Sequence, residues 1–413
     1  MNITLFGGIW LLYLIRCFFA NDHRKMLFAA LLSMVLQCNN VLYIGDTGIG
    51  VQVFTIGIAW TRLLLIRPLA ERPRPLLTLS VLVLGILGAV VLSLVVNGLL
   101  YGESIIALAM IGVYVLFLVT LARKHLLVDG PWMERTENRI LTLVLVIGAL
   151  QVLCKSGADV LTLPLQWLVY NDVNNSDVIF GYKDLNRFYA TFMEPSYCGA
   201  YLVGMFAVLM VRQQMTWKNL LLGGLTCLAI VLTRSSTAYG GLVIVGVLLL
   251  LTKAKKKVFR FLLPAFLLAG LALAIYNMDL LNEVIFEKAQ TGSFSTRSRM
   301  NQLALVEFVS NPLLGGGYRS VRASSIWYSL LGELGLLGCG IYLFLTGLSL
   351  RWAIRGERNP AAGSKSFFVL GIVICQFIAC PDLNFSPFWM ALYMLVMALQ
   401  MDARQPLKGG NDL

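Results

Sequence analysis

The chain has 413 residues, 58% of them hydrophobic and 13% charged, with a formal net charge of +12. Soluble domains carry roughly 25% charged residues, so a soluble globular fold is excluded. The positive balance does not require a nucleic-acid partner, because it follows the alternation of membrane loops described next.

Apolar runs of about 20 residues, the length that crosses a bilayer, recur along the whole chain. In chain order they predict spans near 3–20, 26–43, 48–66, 76–97, 104–122, 139–158, 194–211, 218–233, 236–252, 258–276, 323–349, 366–380 and 385–401. That is an all-α, polytopic integral membrane protein with about thirteen transmembrane helices, in a range of 12–14, forming one membrane domain over 1–413. No positive charge precedes the first apolar run, and no small-residue cleavage site lies before "NDHRK". Residues 3–20 therefore read as a retained span.

One set of loops is basic: "NDHRK", "RPLAERPRP", "ARKHLLVDGPWMERTENR", "RQQMTWK", "KAKKKVFR" and "RWAIRGERNPAAGSK". Lys and Arg are retained on the cytoplasmic side during insertion. These loops are expected in the cytoplasm of a bacterium, with the chain multi-pass in its inner membrane. The opposite, periplasmic side holds nine of the 33 Lys and Arg residues: Lys155, Lys183, Arg187, Arg234, Lys288, Arg297, Arg299, Arg319 and Arg322.

Most periplasmic loops are short, but two are long, at 159–193 and 277–322. Loops of that length tend to carry function. The first mixes Trp167, Tyr170, Phe180, Tyr182, Phe188 and Tyr189 with Asp, Asn and Lys. Such rings suit sugar faces and equally suit anchoring at the membrane interface. The second reads "STRSRMNQLALVEFVSNPLLGGGYRS", and Met300–Val309 predicts a helix lying at the interface, ended by Pro312. Gly315, Gly316 and Gly317 then form either a plain turn or a segment whose N–H groups approach a phosphate.

The eight cysteines are scattered without metal-ligand spacing. His23 and His125 both lie in basic loops, which excludes a histidine metal cluster on the periplasmic face. Six of the nine periplasmic cations are arginine. A guanidinium meets two phosphate oxygens at once and always keeps its charge. Arg187 and Arg297 are read as binding an anionic ligand, whereas Arg319 and Arg322 are read as pairing with Asp184, Glu194, Glu287 or Glu307, or as binding lipid headgroups.

Four stretches resemble the O-antigen polymerase and O-antigen ligase superfamily. "RFYATFMEPS" from Arg187 is similar to its arginine-then-glycine-phenylalanine-proline segment, with Ala190 at the glycine position. "LTRSSTAYGGL" (232–242) resembles its threonine-serine-arginine helix start, although Arg234 precedes Ser235. "STRSRMNQLALVEFVSNPLLGGG" resembles its arginine, helix and "PLLGxG" signature, and "SSIWYSLLGELGLLG" (324–338) resembles its closing helix. The ligase branch opens that helix with histidine and asparagine, where this chain has Ser324 and Ser325. The polymerase branch is the better match.

The resemblance implies a GT-C-like, inverting glycosyltransferase that uses no metal and no other cofactor. It would lengthen a polyprenyl-diphosphate-linked glycan on the periplasmic face. Its partners would be that lipid-linked glycan, membrane lipids, a flippase and a chain-length regulator, and no nucleic acid. Arg187 and Arg297 are the expected catalytic cations for the departing diphosphate, since cations that fit late charge better than early charge lower the barrier. Arg299, Arg234, Asp184, Tyr189, Tyr318, Gly315, Gly316 and Gly317 are the expected substrate contacts. Glu194 is the expected base, and it equally suits the N-terminal dipole of the span that follows it. A ligase, or a flippase for lipid-linked oligosaccharides, is the alternative. A carrier would bury ionisable residues near mid-membrane, and the expected span centres contain almost none.

Overall fold

A computed structural model describes residues 2–45, 47–69, 73–100, 102–126, 128–156, 159–171, 187–212, 216–253, 292–356 and 360–404. The expected span at 258–276, Asp184, and much of both long loops lie outside the described residues. Within them are fourteen α-helices and one small sheet.

The sheet gathers β1 (Asn2–Ile3), β2 (Asn40–Ile44) and β3 (Thr47–Gly50), all antiparallel, with Asn2 opposite Tyr43 and Thr47 opposite Ile44. The first helices are α1 (Leu5–Phe18), α2 (Arg24–Ser33) and α3 (Val51–Leu64). Then come α4 (Arg74–Val96), α5 (Gly102–Leu121), α6 (Gly130–Lys155) and α7 (Thr162–Leu168). The second half holds α8 (Pro195–Val211), α9 (Trp217–Leu232), α10 (Ser236–Lys253) and α11 (Gly292–Ser310). It closes with α12 (Ile326–Ile354), α13 (Pro360–Ala379) and α14 (Ser386–Arg404).

Local chemistry starts these helices. Asp129 caps α6 by accepting the Trp132 N–H at 2.7 Å, and Pro131 sits in the first turn, where its missing N–H costs nothing. Thr216 caps α9 in the same way.

Five helices are long and apolar enough to cross a membrane: α4, α5, α6, α12 and α13. The chain is thus a polytopic, all-α membrane protein, but the described helices do not give the expected thirteen spans. Helices α1, α3, α8, α9 and α10 are apolar yet shorter. Helix α1 has 14 residues, which covers only about 21 Å of a roughly 30 Å hydrocarbon core. The expected span 26–43 fails for a different reason: its helix stops at Ser33, and Asn40 opens a strand. The expected span 385–401 is α14, in which Phe388–Leu399 are buried by protein on every side.

Helix α13 packs most extensively against α8, α12 and α14, and α8 in turn against α9 and α10. Small residues permit this. A Cβ added to Gly371 would stand 2.7 Å from the Gly204 Cα, so the backbones of α8 and α13 nearly touch. At one end of this core, Glu137 of α6 receives Arg212 at 2.9 Å and Lys365 of α13. Arg212 also donates to Asn219 at 2.8 Å, which brings in α9. Asp402 of α14 accepts the Ala362 N–H and so caps α13 at the same end. The opposite end carries the candidate site.

Candidate functional site

The Arg187 segment enters the core as a tightly held strap. Fully buried Gln151 of α6 accepts the N–H groups of Tyr189 and Ala190 at 3.0 and 2.9 Å. The Tyr170 hydroxyl donates to the Ala190 carbonyl, and Phe188 N–H donates to Leu232 O at 2.9 Å. Arg187 is half-buried; its Nε donates to Thr233 O at 2.9 Å and its Nη2 to Arg234 O at 3.1 Å. The guanidinium therefore binds the carbonyls that end α9 and ties the strap to the α9–α10 junction. Ala190 has φ +52° and Arg234 φ +49°, left-handed backbone that non-glycine residues adopt at a cost.

The strap delivers the chain to the start of α8. Glu194 occupies the N-cap position and Pro195 the first turn, but the Glu194 side chain makes no cap hydrogen bond. It is exposed and accepts the Ser196 hydroxyl at 3.0 Å. One turn in, Tyr197 packs on Phe385, with ring centroids 4.9 Å apart. Tyr197 feels the charges of Asp382, Glu194 and Arg322, so all three lie at this end of the bundle. Nearby Cys380 interacts with the Ser196 side chain and feels both Glu194 and Arg297. Burial pushes its thiol well above the usual range, so it stays protonated.

The glycine triplet is built into the protein. Gly315 N–H donates to Asn311 O at 2.8 Å, Gly316 N–H to Gly332 O at 2.7 Å, and Gly317 N–H to Glu333 O at 3.3 Å. In return Leu336 and Leu337 donate to Pro312 O and Leu313 O at 2.9 and 3.2 Å. Helix α12 is broken between these two exchanges at Gly335, φ +62° and ψ −157°. A Cβ there would stand 2.6 Å from Leu314 N, so only glycine meets both the conformation and the close approach. Ser93 and Asn97 of α4 complete the joint by donating to Leu314 O, Glu333 O and Gly315 O. All three N–H groups of the triplet are thus taken up by main-chain carbonyls.

Beyond the triplet, Tyr318 is buried and Arg319 is left-handed at φ +63°. The Arg319 guanidinium meets Asp382 at 3.6 Å, and its main-chain N–H reaches the Glu333 carboxylate. Burial opposes the Arg319 charge, but Asp382, Tyr318 and Glu333 outweigh it and hold the group more firmly protonated than usual. Burial drives the Tyr318 hydroxyl well above its ordinary range.

Helix α11 extends the expected Met300–Val309 element to Gly292–Ser310. It docks on α12 through Ala304, whose carbonyl would lie 2.9 Å from a Cβ on Gly332. Asn301 also accepts the Ser324 N–H at 3.0 Å. Leu303, Leu305, Val306 and Val309 remain exposed, as expected for an interfacial helix. Arg297 and Arg299 are exposed at its start, and Arg322 is exposed in the next loop. None of the three joins the ion pairs found among the described residues.

Arg319 thus meets Asp382; Glu194, Arg297 and Arg322 lie within electrostatic reach of Tyr197 or Cys380; and Arg187 and Arg234 lie within reach of Tyr239. Tyr189 and Tyr318 are buried, so their rings pack inside the protein. Four residues here were not singled out from sequence as site groups: Gln151, Ser196, Glu333 and Asp382. Asp382 had a signal, since "CPDLNFSP" (380–387) puts one acid between two apolar helices. Gln151 had none, because nothing in one helix announces which distant strap it holds. Among the described residues, no three His, Cys, Asp or Glu side chains lie close enough together to hold a metal ion. No protein-family model and no curated protein matches this chain.

Proposed function

We propose that the protein joins polyprenyl-diphosphate-linked oligosaccharide units on the periplasmic face of the bacterial inner membrane, by inverting, metal-independent glycosyl transfer. The observation that carries this reading is a set of exposed arginines, Arg297, Arg299 and Arg322, that join no ion pair among the described residues, at the end of a membrane helix bundle where Glu194 also lies. A diphosphate on a membrane lipid presents its charge at that depth. Its leaving oxygen gains charge as the glycosidic bond breaks, and preplaced cations stabilise that change.

Arg297 and Arg299 take the diphosphate in this reading. Arg187 acts mainly by position, because its guanidinium already binds two main-chain carbonyls. Its charge adds to the field that draws an anionic headgroup in. Glu194, exposed at the start of α8, adds a carboxylate to the same end of the bundle. The exposed apolar face of α11 rests in the lipid, which keeps Arg297 and Arg299 at headgroup level.

The test is direct. Purified protein in liposomes is given polyprenyl-diphosphate-linked repeat units. Lengthened glycan supports the proposal. Transfer to a different lipid core would mean a ligase, and movement across the bilayer without a new bond would mean a flippase.

A further inference from the structure

We infer that Asp382 is the residue that takes the proton from the attacking sugar hydroxyl; this assignment rests on the glycosyl-transfer reading above. A general base must be held within hydrogen-bond reach of the hydroxyl, and its support must be rigid. Among the described residues, three carboxylates around Tyr197 and Arg319 compete for the role: Glu194, Glu333 and Asp382.

Glu194 is exposed, and its one hydrogen bond is to the hydroxyl of a neighbour two residues on. Glu333 lies at the broken joint of α12, where its carboxylate accepts the Arg319 main-chain N–H. Asp382 is placed differently, because the whole loop around it is fixed. Gln376 donates to Asp382 O at 3.1 Å, and Phe385 N–H donates to the same oxygen at 3.3 Å. The Trp389 indole donates to Leu383 O at 3.0 Å, and the Ser386 hydroxyl to Met34 O at 2.7 Å. The side chain itself is anchored by one oxygen. Oδ1 accepts Asn384 N–H at 2.9 Å and stands 3.6 Å from Arg319. These contacts leave Oδ2 to act, on a side chain 31% exposed.

Asp382 is also the electrostatic centre of the site. Tyr197, Tyr318, Arg319 and Glu333 all feel its charge. It is paired with Arg319 and shares the Tyr197 environment with Glu194 and Arg322, and in this assignment the anomeric carbon sits beside it. In the step, the acceptor hydroxyl oxygen bonds to the anomeric carbon as the bond from that carbon to the diphosphate oxygen breaks. The bonding pair leaves with the diphosphate, and the hydroxyl proton passes to Asp382 Oδ2.

The experiment uses the full chain in liposomes with polyprenyl-diphosphate-linked repeat units, and compares Asp382→Asn, Asp382→Ala, Glu194→Gln and Arg319→Gln. Thermal unfolding in detergent confirms that each variant is folded. Asp382→Asn is expected to slow chain growth by about 100-fold or more, the usual worth of a general base, with KM for the donor unchanged. Sodium formate is expected to restore part of the activity of Asp382→Ala, because a free carboxylate can take the proton. A structural role would not respond to formate. Near-normal growth by Asp382→Asn would overturn the inference while leaving the glycosyl-transfer reading intact. So would equal, non-additive losses in Asp382→Asn and Arg319→Gln without formate rescue, which would mean that Asp382 only holds Arg319. If the wild-type protein lengthens no glycan, both fall together.

Discussion

Glu137 and Arg212 meet at 2.9 Å with both side chains sealed from solvent, and Lys365 approaches the same carboxylate from α13. One anion thus joins three helices through two cations, far along the chain from the arginines at the opposite end. Removing one partner of a buried ion pair strands the other charge, at roughly 3–5 kcal/mol. Here Glu137→Ala strands two. We expect it to destabilise the protein by at least that much, lowering the unfolding temperature in detergent sharply. Glu134→Ala, one turn earlier and exposed, is expected to change it little.

Arg187→Lys should be as damaging to function as Arg187→Ala. Lysine keeps the charge but cannot reach Thr233 O and Arg234 O together with the fixed fork that arginine provides. Freed at that point, the strap moves, and a displacement of about 1 Å at a reacting group costs on the order of 100-fold. Both variants are expected to insert normally and to lose chain growth in the liposome assay. Arg297→Lys should retain a fraction, since its proposed task needs charge at the headgroup more than a fixed geometry. Wild-type polymer length in Arg187→Ala would remove Arg187 from the mechanism.

Ala190 sits in left-handed backbone with its N–H on Gln151 and its carbonyl on Tyr170. A non-glycine residue pays about 1–2 kcal/mol there, while glycine loses roughly 0.5–1 kcal/mol in chain entropy. Ala190→Gly is therefore expected to be neutral or to stabilise by no more than about 1.5 kcal/mol. Ala190→Val should destabilise. Thermal unfolding of the two variants measures the difference in sign.

All eight native cysteines are buried, so a single introduced thiol can report which side of the membrane it faces. Ser320→Cys, exposed beside Arg319, is expected to react in intact cells with a membrane-impermeant maleimide. His125→Cys, exposed between α5 and α6, should react only after the membrane is opened. The reverse pattern would invert the orientation and place the arginine cluster in the cytoplasm.

The long apolar runs were legible in the sequence because hydrophobicity alone decides them. Expected span 76–97 is α4, Arg74–Val96, and 104–122 is α5, Gly102–Leu121. Residues 26–43 look the same by composition, yet Asn39 and Asn40 bind Leu168 and Asn171 of a distant segment, and the chain turns into a sheet. The break in α12 was hidden in the same way. "LLGELGLLG" reads as continuous helix, and only the arrival of 312–317 supplies the partners that let Gly335 leave it. The arginines at the site were visible as residue types. Which of them are already engaged was not, because Arg319 finds Asp382, 63 positions further along the chain, rather than by any local pattern.

A broken membrane helix is commonly a place where a protein flexes. The two pieces of α12 are instead spliced by a second stretch of backbone, and α4 pins the splice from the side. The joint is a weld, so α11 and the arginine-bearing loop ride with α12 as one rigid block. An opening wide enough for the lipid of the proposed function would therefore have to part at another seam.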